Sequence, residues 1–210
     1  MDKLGGQVDL IITDPPYGID YQSQRKRDKA QWFPKIKGDK TPFIDFIPKI
    51  KWLLKPNGAC FIFTRWDVQQ LFIEEMNNND LKVRNVLIWD KVIHGMGDLK
   101  KSYGSRYESI LFHSENEFRF PNKRPQDIIR CQRVNSNKLV HPNEKPVELI
   151  ETLIKQCSKP GAIIFDPFMG SGTTCVAAIN TGRKYIGCDI DKSYFDIAQE
   201  RINKTKEVII

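Results

Sequence analysis

The amino-acid sequence predicts an α/β protein with a doubly wound, mostly parallel sheet and helices on both faces. Two observations carry this expectation. Short β-branched runs alternate with stretches whose apolar residues recur at helical spacing, the pattern of strand–helix–strand units. Three of those runs end in an acid (Asp14, Asp166 and Asp189), and ligands in such sheets collect beyond the carboxyl ends of the strands.

Taken in order, Val8–Thr13 (VDLIIT) is a buried strand ending in a Pro-Pro turn. Phe43, Phe46, Ile47, Ile50, Leu53 and Leu54 fall at helical spacing, and Pro56-Asn57-Gly58 is expected to stop that helix. Residues 59–64 form the next strand. Val68, Leu71, Phe72 and Met76 mark a second helix that ends in the asparagine run at 77–79. Residues 83–89 and 107–112 are further strands. Beyond a basic, loop-rich stretch, Pro146 opens a helix carrying Val147, Ile150, Leu153, Ile154 and Cys157, closed by Pro160-Gly161. A strand at 162–166, a helix at 172–181, a strand at 184–189 and a last helix through Tyr194, Ile197, Ala198 and Ile202 complete the chain. With 210 residues, one domain is expected, divided into a first half (1–112), a short basic segment (113–140) and a second half (141–210).

The net charge of +7 is unevenly placed. Two segments, 22–40 and 119–140, each carry a local balance of +5, so the rest of the chain is slightly acidic. Concentrated positive charge suits a polyanion, because neutralised phosphates release counterions. Candidate phosphate contacts are Arg25, Lys26, Arg27 and Lys29 in the first segment and Arg124, Arg130 and Arg133 in the second. The five cysteines are scattered without a CxxC pair, so neither a zinc site nor a disulfide framework is expected. No apolar run reaches the ~18 residues that span a bilayer, and a cytoplasmic protein without membrane attachment is expected.

Two motifs carry chemistry. Asp14-Pro15-Pro16-Tyr17 follows the first strand. Its prolines lack N–H donors and fix φ, which stiffens the turn and leaves carbonyls free to accept. A carboxylate and a nearby carbonyl can take both protons of an –NH2 group and direct its lone pair at an electrophile, while the aromatic ring stacks on a base. Asp166-Pro167-Phe168-Met169-Gly170-Ser171-Gly172-Thr173-Thr174 ends a later strand and opens a helix. Gly170 and Gly172 allow close backbone approach, and the helix start offers unpaired N–H groups to a carboxylate. Asp189, at the end of the next strand, is placed to bind ribose hydroxyls. This series fits a nicotinamide or flavin nucleotide as well as S-adenosylmethionine, although the third glycine of GxGxxG is replaced here.

Together these motifs resemble the amino-methyltransferases of DNA, of the adenine-N6 and cytosine-N4 type. Their order resembles the permuted beta class, in which the catalytic half precedes the cofactor half of a Rossmann-like fold. His141-Pro142-Asn143-Glu144-Lys145-Pro146 resembles that family's HPxxKP segment, and Trp89-Asp90-Lys91, Gly95-Met96-Gly97 and Arg106-Tyr107-Glu108 its middle segment. The resemblance implies S-adenosylmethionine as cofactor, held by Lys145, Asp166, Phe168, Gly170, Gly172, Thr173 and Asp189. It implies catalysis by Asp14, Pro15, Pro16 and Tyr17 on a flipped base, with adenine favoured because cytosine-N4 enzymes more often carry Ser in place of the Asp. It implies DNA as substrate, with a homodimer and a cognate restriction endonuclease as candidate partners. Arg106 and Glu108 are expected to pair and shape the site. Only seven residues precede the first strand, where the family has a further strand walling the cofactor's adenine ring. Val208-Ile209-Ile210 is a candidate stub for it. That difference keeps open a catalytically silent DNA-binding relative.

Overall fold

A computed structural model of the chain describes residues 4–19, 39–94, 100–135 and 144–209. Arg25, Lys26, Arg27, Lys29, the 95–97 glycine pair and His141 lie outside the described residues. The strands are β1 (Val8–Thr13), β2 (Leu54–Thr64), β3 (Val83–Asp90), β4 (Tyr107–Ser114), β5 (Ile128–Arg130), β6 (Ile163–Asp166) and β7 (Lys184–Gly187). The helices are α1 (Ile47–Leu53), α2 (Gln69–Asn78), α3 (Val147–Cys157), α4 (Thr173–Asn180) and α5 (Lys192–Ile209).

All seven strands join one sheet in the order β5-β3-β4-β2-β1-β6-β7, so each of the three expected segments contributes to it. The sheet is parallel except for β4, which runs antiparallel to both neighbours, β2 and β3. A parallel return from β3 would need a long crossover, usually a helix, whereas an antiparallel one needs only a reversal. Because β3 and β2 share β1's direction, the carboxyl ends of β1, β2, β3, β5, β6 and β7 lie on one edge.

Alternate strand residues feed two layers. Leu10, Ile12, Phe61 and Phe63 pack with Leu149, Ile150 and Leu153 of α3 and Ala177 of α4. Ile11, Cys60 and Ile62 pack with Ile47 and Ile50 of α1 and with Phe72 and Met76 of α2. Burial on both faces is why these strands read as unbroken apolar runs rather than alternating ones. α5 lies over α4, with Ala198 and Ile202 against Cys175 and Val176.

Three expectations are corrected. The first helix is shorter than its apolar spacing: Leu54 already pairs with Val8 as the start of β2, and the register then jumps to Leu10↔Ala59. Pro56-Asn57-Gly58 is therefore an irregularity within the strand, not a helix stop, a position where Pro and Gly are tolerated. The basic segment contains an edge strand, β5, whose Arg130 pairs in register with Asp90. Val208 and Ile209 close α5 and form no strand. Among the described residues no helix is long and apolar enough to cross a membrane.

Candidate active site

The Asp14–Tyr17 turn leaves the carboxyl end of β1 and is pinned from one side. Gly18 N–H donates to Asp39 Oδ1 at 2.8 Å, and Phe43 N–H donates to the Pro16 carbonyl at 3.0 Å. Gly18 adopts φ +79°, and a Cβ there would sit 2.5 Å from Pro42 Cδ, so the turn requires glycine. Asp39 is only 2% exposed, although a lone Asp in a lysine-rich stretch reads as surface. The buried Tyr17 hydroxyl donates to Asp14 Oδ1. Burial, then the neighbouring Asp14 carboxylate, pushes the phenol well above its ordinary range.

Lys145 arrives from the segment ahead of α3. Its Nζ lies 2.5 Å from Asp14 Oδ2 and 3.3 Å from Glu108 Oε2, and 5.1 Å over the Phe63 ring. Lys91 Nζ lies 2.5 Å from Glu108 Oε1. The result is a row of alternating charge, Lys91–Glu108–Lys145–Asp14. Burial raises Asp14 above the usual carboxylate range, with Lys145 opposing and Glu108 adding to the rise. Burial alone would raise Glu108 too, but Lys145 and Lys91 outweigh it and hold that carboxyl low. Burial would lower Lys145, yet Asp14 and Glu108 outweigh it and hold the ammonium charged. Lys145 thus contacts the Asp14 side of the site. The expected Arg106–Glu108 pair does not form. Glu108 stands opposite Trp89 in the ladder, within reach of Lys91, while Arg106 reaches Asp90 with two contacts of 2.6 and 2.7 Å.

The second motif leaves the carboxyl end of β6, next to β1. Asp166 is 4% exposed; its Oδ1 accepts from Phe168 N–H at 3.1 Å and its Oδ2 from the Thr174 hydroxyl at 2.6 Å. Its hydrogen-bond partners are neutral, and burial raises the carboxyl to about 7. Asp189 staples the loop: Oδ2 accepts from Gly170 N–H at 2.9 Å and Oδ1 from Asp191 N–H at 2.7 Å. Gly172 takes φ +80° ahead of Thr173, the first residue of α4. A Cβ on Gly172 would meet the Ala198 Cβ at 2.9 Å, so this glycine makes room for α5. Phe168 meets Phe43 and Phe46 edge-on, with centroids 5.7 and 5.1 Å apart.

A cavity of about 250 Å³ joins the two motifs, lined among others by Asp14, Tyr17, Lys145, Asp166, Thr173 and Asp189. Glu144 and Arg201 join the site through a contact that the sequence pattern does not signal. Arg201 bonds Glu144 at 2.8 Å and the Ser171 carbonyl at 2.9 Å, clamping α5 to both the loop and the segment bearing Lys145. No local periodicity could reveal a contact between residues so far apart. Of the basic candidates, the exposed Arg130 ends β5 on the same edge as Asp14, with Arg133 just beyond. Arg124 precedes β5 and lines a separate cavity with Asn85 and Gln156.

Fold and cavity together define a Rossmann-like protein in which the Asp14 turn and the Asp166 loop, from neighbouring strand ends, face one cavity. Residues 8–200 match the DNA methylase family of N6 and N4 methyltransferases, and the chain belongs to that family. YubD of Escherichia coli K12, provisionally named a methylase, is 31% identical over 94% of this chain and 83% of its own length. The DNA adenine methyltransferase YhdJ of the same strain is 27% identical over 93% of this chain and 76% of its own. The crystal structure of the M1.HpyAVI–SAM complex superposes with a TM-score of 0.69. It covers 93% of this chain and 89% of that one, at 27% identity.

Proposed function

We propose that this DNA methyltransferase transfers a methyl group from S-adenosylmethionine to the exocyclic N6 amino group of adenine in DNA. The observation that carries the reading is the single cavity shared by the Asp14 turn and the Asp166 loop. The donor set fits the cofactor: a buried carboxylate bonded only to neutral groups suits a cationic ligand, and Asp166 is such a group. Asp166, Phe168, Gly170, Thr173 and Asp189 would hold it, with Lys145 at the border with the acceptor site and Gly172 acting by letting α5 close over the loop. Bound S-adenosylmethionine supplies an electrophilic sulfonium methyl.

The chain does the rest. Asp14 and the Pro15 carbonyl accept the two amino protons of the target base, Pro16 keeps the turn rigid, and Tyr17 stacks on the base. Flipping that base costs a few kcal/mol, and stacking on Tyr17 offsets roughly 1–3 kcal/mol of it. A covalent enzyme intermediate is not part of this reading, since among the described residues no cysteine lines the shared cavity. Arg130 and Arg133, with Arg25, Lys26, Arg27 and Lys29, would hold phosphates; Arg124 lies away from that edge. We assign residues 1–210 to one methyltransferase domain, with a homodimer and a cognate restriction endonuclease as proposed partners.

Adenine is preferred because Asp heads the catalytic turn and because YhdJ, a relative over nearly the whole chain, is named for adenine. Incubation with labelled S-adenosylmethionine and unmethylated DNA, followed by nucleoside analysis, tests the reading. Labelled 6-methyladenine that disappears with Asp14→Ala is expected. Labelled 4-methylcytosine would move the target to cytosine, and DNA binding without any product would favour the silent relative.

A further inference from the structure

A buried lysine flanked by two carboxylates is costly to assemble unless each member is paired, and removing one member leaves an uncompensated charge. The row Lys91–Glu108–Lys145–Asp14 meets that condition with two cations and two anions. Its members come from the end of β3, from β4, from the segment ahead of α3 and from the end of β1. Lys145 is 8% exposed and lines the cavity, with its ammonium over the Phe63 ring. Glu108 and Lys91 are absent from the cavity wall, so Glu108 acts on a substrate through the lining groups it faces, Lys145 and Asp14.

Among the described residues, four ionisable groups face Asp14. They are Tyr17 from its own turn, Lys145, Glu108 from β4, and Asp166 from the end of β6. Lys145 is the only cation among them. The like charge of Glu108, together with burial, favours a protonated Asp14, whereas Lys145 and the donating Tyr17 hydroxyl favour the carboxylate, and a protonated acid can no longer accept at both oxygens.

Resting on the function proposed above, we propose that Lys145 and Glu108 are positioning residues for the methyl-acceptor site. Lys145 keeps Asp14 an ionised acceptor aimed at the target amino group, and Glu108, steadied by Lys91, holds Lys145 in place. The two residues act with opposite sign on Asp14, because one presents an unlike charge and the other a like charge.

The test is the pH profile of kcat/KM for DNA methylation by the full chain, comparing wild type with Lys145→Met, Lys145→Arg and Glu108→Gln. Lys145→Met is expected to move the acid limb up by at least about half a pH unit. Glu108→Gln should move it down, and Lys145→Arg should keep it near the wild-type position. kcat should fall about tenfold or more in Lys145→Met, with KM for DNA within about threefold of wild type. Limbs that stay put, or that move in the same direction in both variants, would overturn the assignment, as would a wild-type profile with no acid limb. If Lys145→Met does not fold, as judged by circular dichroism, the near-isosteric Glu108→Gln and Lys145→Arg carry the test. Wild-type protein that makes no methylated base, or an Asp14→Ala variant that still does, would instead overturn the proposed function.

Discussion

Replacing Asp166 with Asn should stabilise the fold at alkaline pH while weakening the cofactor site. Asn keeps the local geometry: its oxygen still accepts from Phe168 N–H, and its amide can donate to the Thr174 hydroxyl, which accepts as readily as it donates. What changes is charge. Burial raises the carboxyl from 3.8 to about 7, so keeping it ionised inside costs on the order of 4 kcal/mol, at about 1.4 kcal/mol per unit. Between those two values the native chain holds a proton that the unfolded chain has released, so stability falls as pH rises. The contribution is fully present below about pH 4 and lost above about 7. Asn has no such dependence. The variant's advantage should therefore grow by about 2–3 kcal/mol between pH 5 and pH 8. Urea denaturation of both proteins at those two pH values measures it, and groups common to both cancel to first order. S-adenosylmethionine affinity, read by calorimetry, should fall at least about tenfold at pH 8. A stability gap equal at the two pH values would refute the assigned burial cost. Undiminished affinity would refute the role of the carboxylate in the cofactor site.

Other outcomes follow from the same geometry. Gly172→Ala places a methyl 2.9 Å from Ala198 at φ +80° and should cost about 1–3 kcal/mol, with weakened cofactor binding, by thermal denaturation and calorimetry. Phe72→Ala empties a fully buried site between α2 and the sheet and should cost about 3–5 kcal/mol in urea, since the neighbouring helices cannot fully collapse into it. If about six phosphates are neutralised, log Kd plotted against log salt should change with a slope magnitude near 5, and Arg130→Ala should lower that magnitude by about 1. A slope unchanged by Arg130→Ala would remove that residue from the DNA face.

Local sequence alone determined the elements whose signals are local. The VDLIIT run, the proline-opened helix at 146 and the strand–GxG–helix series each announce themselves within a dozen residues, and each forms nearly where its pattern lies. The same holds for the Asp14 turn and the Asp166 loop, because a strand end fixes where its next residues emerge. Tertiary structure decided whatever depended on a partner far along the chain. Leu54 belongs to β2 because Val8 pairs with it, and no spacing of apolar residues around Pro56 could reveal that. β4 reverses within an otherwise parallel sheet, β5 emerges from a stretch that reads as a basic loop, and Val208 and Ile209 stay helical despite their β-branched side chains. The site shows the division most sharply. Lys145 meets Asp14 across 131 residues, and Glu108 turns to Lys91 and Lys145 rather than to the nearby Arg106. Charge pairing in a buried cavity is settled by which ends of which strands are neighbours, and that information exists only once the sheet has assembled.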